Sequence, residues 1–137
     1  MPIRQSAFET NSSSMHSIVL SKIEPGDILD IPTPDANGNI VVGTGYKFGW
    51  GYETYNDFDA KLAYLVISWR ENSYEMMDKL KKVIKKFTKG ELVYCDGTGY
   101  IDHQSTDIAD REILTEEDIV AFLFNPKTSL IIDNDNH

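Results

Sequence analysis

Between Ser73 and Gly90 the apolar residues Met76, Met77, Leu80, Val83, Ile84 and Phe87 recur at helical spacing. That spacing predicts an amphipathic helix, with Ser73 as its cap and Gly90 as its stop. A stripe of this kind must be covered by another element, and the preceding residues offer one. Asn56 is a suitable N-cap, Asp57 and Asp59 complement the dipole of the first turn, and Phe58, Leu62, Leu65, Val66 and Trp69 form a second stripe. Ala63, Tyr64 and Ile67 widen it, so this helix is expected to be largely buried. Leu62, Leu65, Trp69, Met77, Leu80, Ile84 and Phe87 are the expected core.

Around this helical pair the pattern changes to period two. His16 to Ile23 carries the apolar run Ile18, Val19, Leu20 and Ile23, rich in β-branched residues, and is followed by Glu24-Pro25-Gly26, which predicts a strand and a turn. A second strand is expected over Asp27–Ile31, and Asn37-Gly38 supplies the chemistry of a tight hairpin. Ile40 to Trp50 reads as one strand with Ile40, Val42, Thr44, Tyr46, Phe48 and Trp50 on one face and Gly43, Gly45, Gly49 and Gly51 on the other. Four glycines on one face imply coiling, a bulge, or close approach of another body. Leu92–Cys95 and Tyr100–His103 are expected strands joined across Asp96-Gly97-Thr98-Gly99. Thr115 opens a capping box with Asp118, Asn125-Pro126 ends a short helix, and Thr128–Ile132 is a last strand before a polar tail, 133–137. Ser105–Leu114 is compatible with more than one conformation. The expected fold is α+β: a single domain, 1–137, with a largely antiparallel β-sheet packed against two consecutive helices plus a short C-terminal helix. A chain of 137 residues, 41% hydrophobic and 26% charged, suits one such domain.

Charge limits the function. Thirteen basic residues against 22 acidic ones give a net charge of −9, which disfavours direct nucleic-acid binding and attraction to anionic lipid. No apolar run approaches the roughly 20 residues of a membrane helix, and Met1 to Thr10 lacks the apolar stretch of a signal peptide. The lone Cys95 permits neither an internal disulfide nor a cysteine zinc site. Charge is unevenly placed along the chain. Lys79, Lys81, Lys82, Lys85, Lys86 and Lys89 share the predicted helix with Glu75 and Asp78. In Glu91–Asp118, by contrast, nine acids meet the single Arg111. A crowd of carboxylates can replace phosphates in the basic groove of another protein, although acidic runs are more often simply solvated.

Catalytic signals are sparse. Ser12, Ser13 or Ser14 beside His16 could form a nucleophile and base, but turn hydrogen bonding is the commoner use of such residues. No Gly-x-Ser-x-Gly elbow occurs. His16, His103 and His137 with Asp133 and Asp135 lack metal-ligand spacing, and the Gly-Thr-Gly sequences lack the lysine and helix of a phosphate loop. No metal or other cofactor is expected, and a non-enzymatic role is favoured over a catalytic one.

The stretch Phe8-Glu9-Thr10-Asn11-Ser12-Ser13-Ser14-Met15-His16-Ser17 resembles the opening of a group of small uncharacterised proteins encoded by tailed phages and prophages. Phe48-Gly49-Trp50 and Lys61-Leu62-Ala63-Tyr64-Leu65 are similar to a later segment of such proteins. The resemblance implies phage origin and a protein made in the bacterial cytoplasm, and it carries no catalytic residues onto these positions. It points to an accessory protein that binds and blocks host machinery, nucleic-acid-handling defence proteins included. The binding residues expected on this reading are Glu9, Asn11, Ser14, His16, Asp102, Asp107, Asp110, Glu112, Glu116 and Glu117. One alternative is a hydrolase-like or metal-dependent ligand binder built from Asn11–His16 and the Asp/His tail; another is a structural virion component.

Overall fold

In a computed structural model of the chain the described residues are 14–48, 53–101 and 108–134. The helix read most directly from the sequence is present as α2, Tyr74–Thr88, and before it comes α1, Phe58–Trp69. Ser73 caps α2 by accepting a hydrogen bond from the Met76 N–H. The left-handed residue that ends α2 is Lys89, at φ 68°, and not Gly90. Gly90 lies where a Cβ would come within 2.9 Å of the Pro34 ring. At the start of α1 the cap is Asp57, whose carboxylate accepts from the Ala60 N–H, one residue later than expected. Asn56 instead spans to the far end of the chain, donating to the Pro126 and Thr128 carbonyls and the Ser129 hydroxyl.

Helix α1 is the centre of the molecule. Phe58, Leu62, Tyr64, Leu65 and Trp69 are all buried, and so is almost every other residue of the helix. Its neighbours are α2, the short α3 (Ile108–Glu112) and α4 (Glu116–Phe124). The ambiguous segment before Thr115 is therefore helical in part. The Thr115 capping box is formed in both directions: Thr115 accepts from the Asp118 N–H, and Asp118 accepts from the Thr115 N–H. All seven expected core residues are covered, Phe87 only partly.

The strands are β1 (Ser14–Val19), β2 (Asn39–Val41), β3 (Tyr46–Phe48), β4 (Glu53–Tyr55), β5 (Glu91–Val93), β6 (Gly99–Ile101) and β7 (Ser129–Asn134). The molecule is a single α+β domain whose largest sheet is antiparallel in the order β1-β7-β4. Strand β7 includes Asp133 and Asn134, paired with Met15 and Ser14, so the expected tail begins later than 133.

The remaining pairings are parallel. β2 pairs with β5 and β3 with β6. The connections between partners carry α1 and α2, the long crossover that parallel pairing needs. Asp96–Thr98 accordingly forms a 3-10 turn between β5 and β6, which pair with other strands and not as a hairpin. Likewise Asn37-Gly38 closes no hairpin. The Asp35 carboxylate accepts from the N–H groups of Asn37 and Asn39, an Asx turn that feeds β2. No strand forms over Asp27–Ile31, where Ile28 is 85% exposed; Asp30 donates to the Phe124 carbonyl and holds this segment to the end of α4.

The expected strand over 40–50 is broken into β2 and β3. Its period-two pattern holds on either side of the break, with Ile40, Val42 and Phe48 buried and Val41 and Lys47 outside, but Thr44, expected on the inward face, is exposed within the break. Four residues separate β2 from β3 and five separate β5 from β6, so the break absorbs one extra residue on the partner side, as a bulge does. Gly45 makes it possible: it sits at φ 80° and donates its N–H to the Gly97 carbonyl. Gly49, Trp50 and Gly51 lie outside the described residues.

Candidate interaction surface

The acids of the C-terminal half occupy three kinds of environment. Asp110 accepts a 2.8 Å hydrogen bond from the indole Nε1 of the buried Trp69. A buried indole N–H requires a partner, so this carboxylate holds the core in register. Asp118 serves the α4 cap. Glu112, Glu116 and Glu117 are exposed, and among the described residues none of the three has an ion-pair partner. On α2 the pairing is different: Glu75 meets Lys79 and Asp78 meets Lys82 one turn on, and Lys85 reaches Glu91 beyond the helix.

The basic and acidic segments are neighbours in space. Helix α4 packs on α2, and the carboxylate of Glu116 adds to the Asp78 hydrogen bond that holds the Lys82 ammonium above its usual pKa. The unevenness read along the chain is thus partly neutralised across the α2–α4 contact, where Glu116 faces Lys82; Asp96, Glu112 and Glu117 are the exposed acids of the segment with neither an ion pair nor such a neighbour among the described residues. Between these helices and the exit of β1 lies a groove of about 490 Å³. Val83, Phe87, Val120 and Ala121 give it an apolar floor, with Glu116 and Glu117 from α4 and Lys22 and Lys86 around them.

His16 is on β1 opposite Ile132 and is buried, with Nδ1 2.8 Å from the hydroxyl of the fully buried Tyr64. This corrects its placement on a binding surface: its neighbour Ser17 faces solvent, whereas the His16 ring turns inward onto α1. Ser14 begins β1 and pairs with Asn134. Glu9, Asn11, Ser12, Ser13, Asp102 and Asp107, and with them His103, Asp135 and His137, lie outside the described residues. Among the described residues no three His, Cys, Asp or Glu side chains converge as a metal site. No helix among them is long and apolar enough to cross a membrane.

One buried charge was not anticipated. Lys61 on α1 is completely covered and donates to the carbonyls of Asn125 (3.1 Å) and Thr128 (3.3 Å). Burial pushes its ammonium down to about 8, against the carboxylates of Asp57 and Asp30, which favour the charge. The turn it binds is tied on every side. Thr128 accepts from the Ser21 N–H and donates to the Ala121 carbonyl, and Asn125 donates to the Ser21 carbonyl. A lysine next to Phe58, Leu62 and Leu65 on a stripe of otherwise apolar residues was the available signal.

Searches with this sequence and fold found no matching protein-family model, no matching curated protein and no matching solved structure.

Proposed function

We propose that this chain is a non-enzymatic phage accessory protein that binds and modulates a host or phage protein, acting in the bacterial cytoplasm as an inhibitor of a nucleic-acid-handling defence protein. The observation that carries the reading is the group Glu112, Glu116 and Glu117, exposed and without ion-pair partners among the described residues, on a chain of net charge −9. Such carboxylates steer a basic surface toward this face. The N-terminal resemblance to tailed-phage proteins supports the cellular setting.

The test is capture of partners from bacterial lysate at low and high salt, using the full chain and its E112Q/E116Q/E117Q variant. A basic protein retained by the wild type at low salt, released by high salt and lost by the variant is the expected result. Identical retention by both proteins, or no retention at either salt, would overturn it.

A further inference from the structure

The groove between α2 and α4 has the construction of a seat for a helix. Val83, Lys86 and Phe87 on α2 are spaced i, i+3 and i+4, and Glu116 with Val120 and Glu117 with Ala121 are spaced i, i+4 on α4. Each wall is therefore one face of a helix. The floor is incompletely covered: Phe87 and Val120 remain half-buried although both touch the core. Phe87 stacks on Phe124 at 5.2 Å between ring centroids, so the floor is anchored from beneath. Lys86 stands over the Phe87 ring at 6.0 Å and leaves the mouth beside α4 to Glu116 and Glu117.

We infer that this groove takes an amphipathic helical segment of a partner protein, with aliphatic side chains on the floor and lysine or arginine beside Glu116 and Glu117. The inference rests on the reading of the chain as a protein binder and names the contact. Charge decides the occupant. An acidic segment would place like charges against Glu116, Glu117 and the capping Asp118, which together outnumber the two lysines of the groove lining, and would be repelled by the chain as a whole. A basic segment removes both penalties, while the aliphatic contact supplies the area-dependent term. Lys22 on the β1 side and Lys86 on α2 would donate to carboxylates on that side of the occupant, which would set its direction.

Isotope-labelled full-length protein titrated with a synthetic leucine–lysine amphipathic helix, and with its leucine–glutamate counterpart, tests this by NMR. Saturable shifts centred on Val83, Phe87, Val120 and Ala121 are expected with the lysine peptide. Affinity should fall about tenfold or more for the glutamate peptide, for the E116K/E117K variant and for Val120→Ser, while E112K, outside the groove lining, keeps the same shifts. Equal binding of both peptides, shifts mapping elsewhere, or indifference to E116K/E117K would overturn the inference. The two proposals separate cleanly. If lysate partners depend on the three glutamates but the peptide does not find the groove, the binder reading stands and the helical seat falls.

Discussion

Lys61 shows what one residue does when the fold closes over it. Its ammonium is fully covered, with two carbonyl acceptors from the turn between α4 and β7, and two carboxylates, Asp57 and Asp30, that favour its charge without matching the cost of burial. Its pKa therefore lies near 8 in the folded chain, below the 10.5 of an unhindered lysine. Between those two values the unfolded chain binds more protons than the folded one, so stability rises as pH rises through that window. Denaturant titrations from pH 7.5 to 9.5 should show a gain of up to about 1.4 kcal/mol per pH unit, and Lys61→Met should remove that slope. The range stops short of pH 10 because burial pushes the phenols of Tyr46 and Tyr55 upward, which lowers stability once the unfolded tyrosines ionise. At this scale the sequence was hardly legible. Lys61 lies among the apolar residues of its helix yet was not read as buried, and the pairing of Asp110 with Trp69 across 41 positions had no local sign.

Helix α2 marks how far element-level reading reaches. Its stripe, its Ser73 cap and the Thr115–Asp118 box of α4 are local features, settled by residues three or four apart, and each is formed. Leu80 is fully buried where α2 meets the core. Leu80→Ala should cost about 2–5 kcal/mol in a denaturant titration; a loss well under 1 kcal/mol would mean the helix is not anchored there. The strands were less legible because a strand is defined by a partner. Asn37-Gly38 and Asp96–Gly99 have the residues of hairpin turns, yet β2 and β5 found each other across two helices. Ile28 and Leu29 alternate like strand residues, but with no neighbour to complete a ladder the segment stays an extended tie to Phe124.

For the whole molecule, the α+β class followed from the order of patterns, whereas the electrostatic surface did not, because contact between α2 and α4 places lysines beside glutamates that are far apart in sequence. Cooperativity should be uneven as well. β7 has a partner on each side and Leu130 and Ile132 in the core, while β2–β5 and β3–β6 are ladders of three residues with two strands each. Native-state hydrogen exchange should find the amides of β7 opening only with global unfolding, and those of the short parallel ladders opening at lower free energy. Rapid exchange in β7 would contradict the central position of that strand.

That central strand follows both of its partners along the chain. During synthesis β1 and β4 leave the ribosome with their edges bare, and neither can be satisfied by the other in the finished arrangement. The helices can gather first, but the nascent chain carries two open strands until Ser129–Asn134 arrives to slot between them, an interval in which mispairing with a neighbouring polypeptide competes with completion.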